Sequence, residues 1–392
     1  MVAGGQNAAF PGDTFALHTW LTDSAGSPLG IRPTEVRWAS SDPSVVESVS
    51  DSLFVARDLG TTVLSAEVAV DGSTFQANRE FRVLPPLTGR MVWVRASDLA
   101  TPARLVSEDV PDGAVIPAPA LGNANAPHGL PALSPDGRYA AVQAPRPPSD
   151  VADVAVYVVD LVTDSVLAVT ESMPGNQISP RWSPDGQLVF FSSDANGRWD
   201  VWSVPRTGGQ AQVRVTLNAG LPVFLDVTPG GDRAVVALVT PEGGADLWEA
   251  RLDVGIERRI TNTPTAGKGN PRISPNGESI VYSGPVGPDQ PASVFVLPWG
   301  GGVARELVTP VLTPHEATAS TRSTGAEVGA HSWSPDGQFL LIAWHVDATA
   351  IFTSGEIRQW LTPGDIYAVS ADGLWRIRLT TWKWADVQAD LR

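Results

Sequence analysis

The sequence predicts an all-β chain of two domains, a β-sandwich over residues 1–84 and a six-bladed β-propeller over residues 85–392. Three observations predict it. Apolar residues come in short runs rather than long helical stretches. The 37 Gly and 34 Pro supply the punctuation that many tight turns need. One seven-residue motif returns five times in the second domain. Its first four copies lie roughly 45–50 residues apart, the length of one four-stranded blade.

The first domain reads as short alternating strands at 14–23, 35–41, 52–58, 61–70 and 75–83. The turns between them have a mechanism: Asp and Ser bond back to the backbone, Pro fixes φ, and Gly accepts positive φ. That many strands in under a hundred residues predict a sandwich. The matching residues are Pro11-Gly12-Asp13, Asp23-Ser24-Ala25-Gly26 with Pro28-Leu29, the run from Val36 to Val45 through Trp38, and Leu59-Gly60-Thr61-Thr62. Together they resemble the bacterial Ig-like group 2 domain. The resemblance implies a spacer or adhesion module, with Trp38 packed between the sheets. Pro85-Pro86 then breaks any strand and marks the boundary.

The repeated motif begins at Pro131, Pro180, Leu225, Pro271 and His331 and ends at Gly137, Gly186, Gly231, Gly277 and Gly337. An apolar strand follows each copy, then two more strands. In the turn, Pro sets φ, Asp or Asn accepts local N–H groups, and Gly takes the left-handed position. Asp136, Asp185 and Asp336 are therefore read as structural, not as catalytic acids. The Leu or Trp beside each motif Ser is read as a wedge between blades. The motif resembles the PD-type repeat of TolB-like propellers. The third copy departs from it, with Gly230 where Asp is usual, and should weaken its blade locally. Residues 89–107 look like a blade without its innermost strand, and the last residues, 384–392, look like that strand. Paired, they would close a sixth blade and leave only short, protected edges.

Net charge is −15, which argues against nucleic-acid partners. There is no Cys, so disulfides and thiolate chemistry are excluded. No apolar run spans a bilayer, and the first residues do not read as a signal peptide. No hydrolase elbow, metal-binding HExxH or phosphate loop occurs. No cofactor is expected.

The long connections, 108–130, 145–153, 309–330 and 345–364, all fall on the rim opposite the motif turns. Long loops on a rigid scaffold commonly carry binding. Phe352, Arg358, Trp360 and Leu361 in the last of them are the expected partner-binding residues. The TolB resemblance implies a non-enzymatic interaction or scaffold protein of the bacterial envelope, periplasmic or extracellular. TolB itself binds a peptidoglycan-associated lipoprotein. The partner is equally the periplasmic face of a membrane complex, with this chain docked there as an accessory subunit, a photosynthetic reaction centre being one example. The alternative expectation is a polysaccharide lyase or hydrolase with a channel metal, as in oligogalacturonate lyases. His128, His315 and His331 would be its ligands, completed by Glu316 and Asp226. A third is glycan binding through Trp199 or Trp299.

Overall fold

The structure is a computed structural model. It describes all residues except 1, 5, 22–34, 51, 71, 97–103, 111–112, 119–128, 148–152, 218–219, 240–242, 263–266, 286–291, 309–326, 346–351, 354–355, 358–363 and 381–384. The described residues are strands and turns, without a helix. Among the described residues no helix is long and apolar enough to cross a membrane. The chain forms two compact units. The first contains Met1–Leu87 and Ala368–Arg378; the second contains Thr88–Val311, Arg322–Tyr367 and Leu379–Arg392.

In the first unit, a four-stranded sheet runs in the order Ala8–Ala9, Ser73–Val83, Gly60–Val70, Val36–Ser40. A three-stranded sheet runs Thr14–Ala16, Leu53–Ala56, Val46–Ser48. Their inner faces share one core, built from Phe15, Phe54, Leu64, Phe81 and Val83. Phe15 stacks on Phe81 with centroids 4.4 Å apart, so rings from the two sheets interleave. Trp38 meets Phe54 edge-on at 5.5 Å and is only partly buried, at the border of the core. Along Gly60–Val70 buried and wetter residues alternate, because one face packs and the other meets water. Inside this unit Asn7 also donates to the Leu374 carbonyl at 2.8 Å and accepts from the Arg376 N–H at 2.8 Å.

The second unit is built from four-stranded antiparallel groups. Blade 1 comprises Gly129–Leu133, Tyr139–Pro145, Val154–Asp160 and Ser165–Ala168. Blade 2 comprises Gln177–Trp182, Leu188–Ser193, Asp200–Pro205 and Gln212–Val215. Blade 3 comprises Pro222–Val227, Arg233–Val239, Ala245–Arg251 and Gly255–Arg259. Blade 4 comprises Gly269–Ile273, Ser279–Pro285, Ala292–Pro298 and Arg305–Val308. The remaining eight-stranded sheet resolves into two such groups, joined by one parallel pair, Gly364 with Ala385. Blade 5 is Glu327–Trp333, Phe339–His345, Gly364–Ser370 and Arg376–Arg378; its residues Ala368–Arg378 are those counted with the first unit above. Blade 6 is Ala385–Leu391, Gly89–Ala96, Arg104–Val110 and Ile116–Pro117. Its innermost strand comes from the end of the chain and pairs antiparallel with Gly89–Ala96.

The first-named strand of each blade lies innermost. These strands neighbour one another in a closed cycle, from blade 1 through blade 6 and back to blade 1. The cores lie between blades. Val156, Trp182, Val189 and Phe191 fill the space between blades 1 and 2. Phe190, Val201, Leu225 and Val236 fill that between blades 2 and 3. Val92 and Leu105 of blade 6 pack with Leu133 and Val142 of blade 1. Middle strands are thus buried on both faces, which explains their unbroken apolar runs.

The motif turns are built as their chemistry demands. Ser134 Oγ donates to Asp136 Oδ1 at 2.5 Å, and the same oxygen accepts the Arg138 N–H at 3.1 Å. Ser134 Oγ accepts the Tyr139 N–H at 2.9 Å. The copies at Ser183, Ser274 and Ser334 repeat the pattern. Hydrogen bonding from Ser134 and Ser183 holds the Asp136 and Asp185 carboxyls below the usual range. Gly186 has φ +66° and faces Pro135 of the preceding blade, and Gly231, Gly277 and Gly337 face the preceding Pro likewise. The third copy makes do without the motif Asp. Thr228 Oγ1 donates to Asp232 Oδ1 at 3.3 Å instead.

Candidate functional site: a charged ring on the propeller axis

Every inner strand carries a register shift, and in blades 1, 2 and 4 a Pro sits there. The preceding residues, Leu130, Ser179 and Asn270, have φ of 48°, 57° and 48°. A bulge of this kind re-aims the next side chain, and Pro is tolerated because the innermost strand has no partner on its axial edge. In blades 1, 2, 4, 5 and 6 the residue after the bulge takes one ring position; in blade 3 the bulge lies earlier, before Phe224, and Asp226 takes that position as the second motif residue. Around the axis these residues are Ala132, Arg181, Asp226, Arg272, Ser332 and Asp390.

This layer joins every blade to the next. Trp182 Nε1 of blade 2 donates to the Ala132 carbonyl of blade 1 at 2.8 Å. Arg181 Nε lies 4.0 Å from Asp226 Oδ1, across from blade 2 to blade 3. Asp226 Oδ2 accepts the Ile273 N–H of blade 4 at 2.8 Å. Trp333 Nε1 of blade 5 donates to the Arg272 carbonyl at 3.4 Å. Ser332 Oγ donates to Asp390 Oδ1 of blade 6, and Asp390 Oδ2 accepts the Leu133 N–H of blade 1 at 2.7 Å. Two Trp wedges and two carboxylates thus lock the ring at one level.

The charges of this ring act on one another. Burial, then the nearby Arg181, pushes the Arg272 guanidinium down to about 9. Burial also lowers Arg181, while Asp226 and Asp390 partly restore it. Asp390 of blade 6 acts in this way on Arg181 of blade 2 and Arg272 of blade 4, neither of them an adjacent blade. Arg181 is 5 % exposed and donates from Nη1 to the Pro180 carbonyl at 2.6 Å. Its Nε and Nη2 have no hydrogen-bond acceptor.

The expected site residues fare unequally. Arg358, Trp360, Leu361, His128, His315 and Glu316 lie outside the described residues. So do most of the long connections that were to make one rim overgrown. Phe352 lies in a two-residue strand paired with Ile357. His331 lies at the bulge of blade 5, beside Ser332. Asp226 is not set as a metal ligand: one oxygen holds a backbone N–H and the other faces Arg181. Among the described residues no three His, Cys, Asp or Glu cluster to hold a metal. Trp299 packs against the core between blades 3 and 4. The Arg181–Arg272 pair was missed. Its signal was present, a Pro-Arg dipeptide at the same offset in two motif copies.

The fold and its locked ring define an all-β protein with TolB-type propeller blades. The TolB beta propeller domain family, PD40, matches residues 118–310, the stretch that holds blades 1 to 4. The match lies wholly outside residues 1–84, so the Ig-like group 2 resemblance stands on its sequence motifs alone. The uncharacterized protein Atu1656 of Agrobacterium fabrum is 27% identical over 180 residues, 42% of this chain and 57% of that relative's length. TolB from Acinetobacter baumannii superposes with a TM-score of 0.58 at 17% identity, over 88% of this chain and 80% of its own. Kuenenia stuttgartiensis hydrazine synthase superposes with a TM-score of 0.55 at 12% identity, over 78% of this chain and 46% of its own. At such identities these structures speak for the fold alone.

Proposed function

We propose that the protein is a non-enzymatic interaction or scaffold protein of the bacterial cell envelope, exposed to the periplasm or the cell exterior. The observation that carries this reading is the TolB-type repeat over residues 118–310. The use of the motif carboxylates supports it. Asp136, Asp185 and Asp336 are each committed to a turn, so they serve the scaffold rather than acid–base chemistry. The partner is a protein, either an envelope lipoprotein or a membrane-complex subunit. It docks through Phe352, Arg358, Trp360 and Leu361, and the first domain acts as spacer or second contact.

The test is affinity capture from native envelopes of the source bacterium with the full chain, followed by Phe352→Ala and Trp360→Ala. One specific partner should be recovered, and its recovery should fall at least fivefold with either variant. Equal recovery by all three chains would remove these residues as the docking site. Turnover of uronate polysaccharides by the pure protein would remove the non-enzymatic reading altogether.

A further inference from the structure

Arg181 is a buried side chain with two unused donors on one edge. Nε and Nη2 of a guanidinium point the same way, and their spacing matches the two oxygens of a carboxylate. Nη1 is already taken by the Pro180 carbonyl. The nearest carboxylate, Asp226, stands 4.0 Å away, and its other oxygen holds the Ile273 N–H. Asp390 is held by the Leu133 N–H and by Ser332. Each Asp is anchored by one oxygen to a backbone N–H, and turning both oxygens to Arg181 would leave that N–H unpaired. The fold therefore keeps the fork open.

The surrounding charge points the same way. Arg181 and Arg272, 5 % and 8 % exposed, share this ring with Asp226 and Asp390. Arg392 adds a third guanidinium, 4.0 Å from Asp390. Three cationic side chains thus face two committed carboxylates. The side chains of Asp226 and Arg392 are 15 % and 36 % exposed, so the ring is open to solvent on their side.

We propose that the propeller axis holds a binding site for a carboxylate, with Arg181 Nε and Nη2 as the bidentate fork and Arg272 as the second positive charge. The ligand is a small free carboxylate or a carboxylate presented by a polypeptide. A bound anion would satisfy both buried donors and offset the crowding of guanidinium charges. The site goes beyond the docking role and does not depend on it.

The test is calorimetric titration of the full chain with malonate, with tetra-alanine bearing a free C-terminus, with its C-terminal amide, and with inorganic phosphate. Malonate or the free-acid peptide should bind, and whichever binds tells the two sources apart. Arg181→Lys keeps the charge but loses the fork, and should weaken binding at least tenfold. In arginine-labelled wild-type protein, the Arg181 Nε resonance should move on binding, a readout that needs no variant. Absence of binding by both carboxylates, an unmoved Nε resonance, or equal affinity in Arg181→Lys would overturn the site. So would binding of phosphate or the amide as tight as that of the carboxylates.

Discussion

A sandwich strand and a blade strand bury their side chains by different rules. In the first unit, Leu53–Ala56 alternates, with Phe54 and Ala56 buried and Leu53 and Val55 partly wet. In blade 2, Leu188–Ser193 is buried at every position after its first. The reason is what each face meets. The sandwich sheet has one packed face, whereas a blade is packed on both faces by its neighbours. Phe190 belongs to the core shared with blade 3 and Phe191 to the core shared with blade 1. Adjacent residues in a blade should therefore both be costly to truncate. Phe190→Ala and Phe191→Ala should each cost about 3–5 kcal/mol, as should Phe54→Ala in the sandwich. Val55→Ala should cost under about 1 kcal/mol. Denaturant titration, followed by a probe in the unit concerned, measures all four. A cheap Phe190→Ala would mean that the two-sided burial of the blade is not real.

The same contrast explains what could be read from sequence. Five copies of one turn motif announced the blades, because Pro, Asp and Gly act within a few residues of one another. The pairing that completes blade 6 was legible too, since 89–107 lacked an inner strand and the last residues supplied one. The ring was not legible. Its bonds join residues far apart in the chain, such as Leu133 to Asp390 and Asp226 to Ile273, and a periodicity argument sees only neighbours. The Ser370–Gly373 turn was missed for the opposite reason. It uses the motif's local chemistry, Ser370 Oγ on Asp372 Oδ1 at 2.5 Å, but between the third and fourth strands of blade 5.

Corner carboxylates sharpen the comparison at low pH. In the sandwich, Asp42 is lowered first by its hydrogen bond from Ser44, a neighbour two residues on. In blade 1, Asp160 is held at about 2, first by its hydrogen bond from Arg138, which sits in the motif turn 22 residues back. The folded value lies below the ordinary 3.8, so the folded state favours the ionised form. That stability is present in full above pH 3.8 and is lost as pH falls toward 2. A shift of this size has a ceiling of roughly 2.5 kcal/mol; with Arg138 half-exposed and screened, about 1 kcal/mol is expected. Unfolding free energy at pH 5 and at pH 2 should therefore differ less in Asp160→Asn than in the wild type. An identical pH dependence in the two proteins would show that the Arg138 bond contributes nothing to stability.

Blade 3 allows the smallest and most local test, because there the motif has lost its Asp. The turn still closes, with Gly231 N–H on the Thr228 carbonyl at 2.8 Å, as in the other blades. What differs is the side-chain bond, stretched to 3.3 Å and supplied by Asp232 from two residues further on. A Cβ at Gly230 would meet Asp232 Oδ1 at 3.0 Å, the movable end of a side chain rather than backbone. Gly230→Asp should therefore be accommodated, and its carboxylate can take over the Thr228 hydroxyl. Removing a Gly also narrows the unfolded ensemble. A gain of about 0.5 kcal/mol is expected, and Gly230→Ala, which lacks the carboxylate, should gain less. Repulsion between the new carboxylate and Asp232 opposes the gain and should fade in high salt. If Gly230→Asp destabilises the blade at every salt concentration, Asp232 carries this corner and the two kinds of turn are not interchangeable.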